Sequence, residues 1–297
     1  MLTYVKAALP LIPLASRLPF VAGGGGEIPT REVTRTVTPD ADAVAAYARV
    51  CGFDLRSELP PTYPHVLAFG LHMDLMTSGD FPFGAIGLVH LANAITVRRP
   101  LSVGEPLEIS VRAGSLHPHA KGRTFTLVTS VSAGGSTAWE GVATILRRGP
   151  SNQPGRETSH SETSVGPVGG GCTAPVEVGR ETSHSETLLG PVELPERAEW
   201  RLGGDLGRRY ASVSGDHNPI HLHALSAKAL GFPRAIAHGM WTKARCLAAL
   251  KLPDAFTAEV AFKRPILLPA TVTFAADGDA FEVRGRDQLH LQGTVTP

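Results

Sequence analysis

The residues whose types and spacing could do chemistry lie between positions 210 and 240. Gly215-Asp216-His217-Asn218-Pro219-Ile220-His221 sets a carboxylate and an imidazole on either side of a predicted helix start. Asn218 is a good N-cap, because its side chain can accept a bond from an amide of the first turn, and Pro219 suits the first helical position. The helix is predicted to run through Leu230, where Gly231 supplies a left-handed stop and Pro233 prevents continuation. The turn between Asp216 and His221 can therefore fold both side chains toward one point beside a helix N-terminus, which suits acid–base work or anions. Ala237-His238-Gly239-Met240 follows and opens a second helical stretch over 241–250. Gly239 lets a ligand approach its backbone, and its amide belongs to the unpaired donors of a helix start, so it can stabilise a developing oxyanion.

Two packed units are expected to position these residues. A segment at 149–195, rich in Gly, Pro, Ser, Thr and Glu, reads as a flexible linker. It separates an N-terminal domain at 26–148 from a C-terminal domain at 196–297, behind an N-terminal arm at 1–25. GRETSHSET occurs in the linker at 155–163 and again at 179–187, two copies with no apolar face to stack. The flanking halves echo each other. Tyr47-Ala-Arg-Val-Cys-Gly52 resembles Tyr210-Ala-Ser-Val-Ser-Gly215, and Arg99-Pro100-Leu101 resembles Arg264-Pro265-Ile266, at nearly constant offset. A duplicated domain follows from that register. Each half reads as helices followed by strands, predicted at 107–112, 124–131 and 139–146, then at 258–262, 271–274, 280–284 and 289–295. Helices segregated from strands argue α+β over alternating βαβ units.

The bulk numbers narrow the class. In 297 residues, 42% are hydrophobic and 19% charged, and the 28 basic and 27 acidic side chains are interspersed, which argues against nucleic acid as a partner. Cys51, Cys172 and Cys246 form no CxxC pair or disulfide framework, so a reducing, cytoplasmic setting is expected. The run from Ala7 to Ala15 has the outline of a short signal, but Pro10 and Pro13 interrupt it and Arg17 closes it. It is also shorter than the ~20 apolar residues a membrane span needs. His217, His221 and His223 resemble a metal-ligand spacing without a second cluster, and His160, His184 and Cys172 read as solvated. Arg99 and Arg264 read as strand-end arginines paired with carboxylates, with phosphate contact as the alternative. His117 and His119 read as an exposed turn.

The run from Tyr210 through Asp216, Asn218, Pro219 and His221, with Ala227 five residues further on and His238-Gly239-Met240 beyond, resembles the signature of the MaoC-like, or hydratase 2, family. Phe262-Lys263-Arg264-Pro265 and Leu268-Pro269-Ala270 fit a strand region typical of it, and the whole is similar to the two-domain dehydratases of actinobacterial lipid metabolism. The resemblance implies a double hot-dog fold, in which a central helix is wrapped by an antiparallel sheet twice in one chain. It implies reversible hydration of trans-2-enoyl thioesters of coenzyme A or acyl carrier protein to (R)-3-hydroxyacyl thioesters. In that reading Asp216 activates water, His221 exchanges the second proton, and the Gly239 amide holds the thioester oxygen. Tyr210, Asn218, His238 and Met240 are then expected around the substrate, with Asn218 bracing the loop and His238 fixing the turn. No metal or redox cofactor and no membrane span are implied, and a homodimer is open. A non-catalytic acyl-thioester-binding subunit and a hot-dog thioesterase are the alternatives. The N-terminal half departs from the pattern: Phe53 and Asp54 stand opposite Asp216 and His217, and no histidine follows at the matching spacing. That half is expected to be inactive and to hold the acyl chain around residues 69–76. Some relatives carry a serine in the helix after the His-Gly pair, where this chain has Arg245-Cys246-Leu247.

Overall fold

The computed structural model describes residues 26–84, 87–149 and 194–297. The expected arm at 1–25 and nearly all of the linker, with its repeat, Cys172, His160 and His184, lie outside the described residues.

The N-terminal half contains β1 (Glu32–Val37), α1 (Ala41–Cys51), α2 (Tyr63–Met76), β2 (Leu88–Val97), β3 (Leu107–Ala113), β4 (His117–His119), β5 (Gly122–Ala133) and β6 (Ser136–Arg148). The C-terminal half contains β7 (Glu196–Leu202), α3 (Leu206–Ser214), α4 (Pro219–Leu222), α5 (Ala224–Ala229), α6 (Gly239–Ala248), β8 (Phe256–Phe262), β9 (Ala270–Asp277), β10 (Ala280–Arg284) and β11 (Leu289–Thr296). All strand pairs are antiparallel and join one sheet in the order β1-β3-β5-β6-β2-β8-β11-β10-β9-β7, with β4 beside β5. This order is a palindrome. Replacing each strand of the first half by its counterpart in the second gives the same sequence read from the other edge, as two copies of one fold would.

Alternation drives the wrapping. Leu107, Ile109, Val111 and Ala113 of β3 point into the core while the residues between them are exposed or half-buried. Against that face packs α2, apolar on nearly every side, with Tyr63, Ala68, Leu71 and Leu75 buried. In the second half α6 takes the central place, burying Trp241, Ala244 and Leu247. This is the double hot-dog, α+β architecture the resemblance implies.

The halves meet where β2 pairs with β8, from Ala92 opposite Ala261 to Val97 opposite Phe256. Lys243 of α6 closes this seam from inside. Its fully buried amine donates to the Asn93 carbonyl at 3.0 Å, to Asn93 Oδ1 at 2.7 Å and to the Ala258 carbonyl at 2.9 Å. Three acceptors match the three N–H groups of an ammonium, although burial pushes this pKa well below the usual lysine value. Trp241 Nε1 adds a second tie by donating to the Val50 carbonyl of α1.

Three local expectations need correction. The helix foreseen from Asn218 to Leu230 is two short ones, α4 and α5, broken at His223, which is extended at φ −145° and ψ 149°. Carbonyls that would continue the helix are taken by outside donors, Ile220 by the Ile236 amide and Leu222 by Arg208 Nη1. His117 and His119 belong to β4, because their backbone pairs with Thr124 and Gly122 of β5. The expected strands omitted β1, β2 and β7. Arg99 does pair with a carboxylate, Glu105, at 2.7 Å.

Candidate active site

Gly215 caps α3 in the left-handed region at φ 75° and donates its amide to Ala211. The chain turns sharply there, which a residue with a Cβ resists. Asp216, next in line, receives the Asn218 amide on Oδ1 at 3.1 Å and donates its own amide to Ser214 Oγ. Asn218 accepts the Ile220 amide on its side chain and so caps α4, as its type predicts. These bonds fix a tight loop that carries Asp216 to the wall of a cavity of about 700 Å³ lined by both halves.

His221 reaches the same cavity from α4 and is 8% exposed. Its Nδ1 lies 2.8 Å from the Ile236 carbonyl. A carbonyl only accepts, so Nδ1 carries the proton and Nε2 keeps its lone pair in the neutral ring. Burial lowers the His221 pKa, with Asp216 and the Ile236 bond pulling the other way. The resting ring is a neutral base with its free nitrogen beside a carboxylate.

His238 stands behind this pair. Its ring stacks on His221 at 3.6 Å between centroids, and its Nε2 donates to the Asp216 carbonyl at 3.0 Å, 3.8 Å from Oδ2 of the same residue. Burial first, then His221, pushes its pKa down to about 3, so it stays neutral and locks the Asp216 loop. Ala237 is held by Ile266 and Leu268 by Ala235, which ties the segment before His238 to the 266–268 stretch. Tyr210 packs its ring 4.8 Å from His238 and lines the cavity, as do Asn218 and Met240. Ligand atoms of Asp216, His221 and His238 all lie within 4.8 Å of one another, close enough to hold a cation. The sequence-level trio does not converge, since His217 and His223 are exposed.

Gly239 begins α6, so no helical acceptor exists for its amide. A Cβ there would sit 3.0 to 3.2 Å from the Phe262 ring, which explains the glycine. The Arg245-Cys246-Leu247 stretch does not reach the cavity. Arg245 lies over Trp200 at 4.9 Å, and Cys246 and Leu247 are core. Thr242 lines the wall instead, with Oγ1 donating to the His238 carbonyl.

Sequence reasoning missed part of this site. Lys243, His65, His72 and His90 line or flank the cavity, and none was foreseen. His65 and His72 are seven residues apart on α2, a same-face spacing that could have been read. His90 sits on a strand that was itself not expected.

A family model described as a MaoC like domain matches residues 196–277. The 3-hydroxyacyl-thioester dehydratase X of Mycobacterium tuberculosis is 38% identical over 283 residues, covering 94% of this chain and 88% of that protein. The crystal structure of HtdX from the same organism superposes with a TM-score of 0.71 at 36% identity, covering 89% of this chain and 99% of that one. A MaoC-like dehydratase from Phytophthora capsici shares the fold at a TM-score of 0.65 and 17% identity, over 91% and 96% of the two chains.

Proposed function

This chain belongs to the MaoC-like dehydratase family, and on that premise we propose that it interconverts trans-2-enoyl and (R)-3-hydroxyacyl thioesters of coenzyme A or acyl carrier protein. Asp216 and His221 are the acid–base pair, and the Gly239 amide is the oxyanion donor. One observation carries the reading: His221 is pinned through Nδ1, which leaves the Nε2 lone pair in the cavity wall beside Asp216. In the dehydrating direction that lone pair takes the C2 proton, and negative charge moves onto the thioester oxygen at Gly239. Asp216 holds the departing C3 hydroxyl while the pair returns one proton to it. Water leaves, and the site ends in its starting protonation state.

The N-terminal half, 26–148, supplies no second acid–base pair in this reading and instead receives the acyl chain. Phe69, Met73 and Met76 of α2 supply an apolar wall to the shared cavity. Lys121, Arg148, Lys263 and Arg264 line the same cavity with exposed cations that suit the phosphates of either carrier. Among the described residues no helix is long and apolar enough to cross a membrane, and Cys51 and Cys246 are free and buried. A cytoplasmic location accords with free thiols.

The test follows enoyl absorbance with a series of enoyl-CoA substrates, comparing wild type with Asp216→Asn and His221→Ala. Each substitution is expected to cost at least ~10²-fold in kcat/KM. Near wild-type hydration in both variants would overturn the assignment, and release of free coenzyme A would mark a thioesterase.

A further inference from the structure

The N-terminal half contributes three imidazoles to the cavity that the proposed reaction does not use. His65 and His72 share one face of α2 with ring centroids 5.0 Å apart, and His90 of β2 lies 6.3 Å from His65 in a stacked orientation. His90 is in turn 5.0 Å from the ring of Phe262, the side chain that Gly239 approaches. A line of rings therefore runs from the oxyanion donor past Phe262 into the N-terminal half. Around it the wall is hydrocarbon: Val66, Phe69, Met73, Met76, Leu127 and Ile145. Imidazoles are out of place in a tunnel meant only for methylene groups.

His90 is the telling one. Among the described residues its buried Nε2 has no partner. A neutral imidazole offers there either a lone pair or an N–H, according to its tautomer. A strand irregularity puts it there. Asn93, Ile95 and Val97 are buried at alternate positions of β2, and the register shifts between His90 and Ala92, so Leu91 is an extra residue. The bulge gives His90 the phase of the inward-facing side chains. His72 is already satisfied, with Nε2 2.8 Å from Thr129 Oγ1. Burial pushes the His72 pKa down to about 3 and that of His90 to about 4, and lowers that of His65 well below the usual value. Lys243, the nearby cation, spends its donors on Asn93 and Ala258. This stretch of the wall sets neutral imidazoles among hydrocarbon, a match for a neutral polar group on the chain.

We propose that this tunnel takes an acyl chain bearing a hydroxyl group on a carbon beyond C3, which hydrogen-bonds Nε2 of His90. The inference rests on the thioester reading above and deepens it to a substrate class. A plain alkyl chain leaves a buried polar nitrogen without a partner, which costs binding free energy, whereas a hydroxyl can donate or accept and so serves either tautomer.

The experiment uses the full-length chain and sets of enoyl-CoA substrates of equal length: plain, hydroxylated, or carrying an oxo group at successive carbons beyond the reacting pair. At the best position, kcat/KM for the hydroxylated substrate is expected to exceed that of the plain partner by roughly tenfold or more and at least to match the oxo one, and an oxo substrate turned over faster than the hydroxylated one overturns the hydroxyl assignment. His90→Phe should bring the ratio to about one, whereas His90→Gln, which retains an acceptor, should keep part of it. A wild-type ratio near one at every position overturns the proposal and needs no variant. A preference that survives in folded His90→Phe overturns it as well. Turnover of neither substrate class sinks the dehydratase reading and this inference with it, while equal turnover of both sinks this inference alone.

Discussion

Helices α1 and α3 end alike and lead to different things. Each carries a tyrosine on its inner face, Tyr47 and Tyr210, whose rings pack 6.0 Å apart across the centre of the molecule. Each stops at a left-handed glycine, Gly52 at φ 82° and Gly215 at φ 75°. After Gly215 comes Asp216, laced by the Asn218 amide and backed by His238. After Gly52 comes Phe53, packed on the core, then the exposed Asp54, which pairs with Arg56 at 3.6 Å. The helix and its cap are scaffold common to both halves. What differs is the few residues after the cap: one half carries the proposed acid–base pair and the other supplies cavity wall.

The largest test of that asymmetry is the removal of Asp216 or His221 described above, at ~10² or more in kcat/KM. Lys243→Met comes next. It leaves Asn93 Oδ1 and two carbonyls at the β2–β8 seam without their donor, and we expect a loss of about 2–3 kcal/mol in chemical denaturation. An unchanged midpoint would show that the halves are held by strand pairing alone. Gly239→Ala needs the Phe262 ring to give way by a few tenths of an ångström, and we expect about a tenfold fall in kcat/KM with the fold retained.

A smaller effect concerns pH. With its pKa lowered by burial, His221 stays neutral and competent as the pH falls past the usual histidine value of 6.5. The acid limb of kcat/KM should therefore lie below pH 6.5, activity being lost only as pH drops through the lowered value; a limb above 6.5 would mean a charged resting imidazole. Asp54→Asn should change neither rate nor stability measurably, and any loss of activity there would give the first half a chemical role.

The convergence of Asp216 and His221 was legible in the sequence because the turn that makes it is local. Asn218, Pro219 and Gly215 act within a few residues of themselves, so their types alone forecast a cap, a turn and a convergence. The alternating strands β3, β5 and β6 were legible for the same reason. What stayed hidden depends on partners far along the chain. The break at His223 arises because Ile236 and Arg208 reach in from outside the helix. Lys243 looks like an ordinary surface lysine until α6 turns it toward Asn93, which is 150 residues away. His90 faces inward only because β2 carries a bulge against β6, and no composition or periodicity rule signals that.

The palindromic sheet has a consequence for how such a molecule can change. In a pair of identical subunits every residue occurs on both sides of the two-fold axis, so any substitution near the axis is made twice and must suit both settings. Here the strands that meet at the centre are unlike, with Asn93 opposite Val260 and Ala94 opposite Glu259. Each position answers to one neighbourhood. Joining two copies in a single chain releases the central strands from symmetry, and a mutation that widens the cavity on one side leaves the proposed acid–base pair on the other untouched.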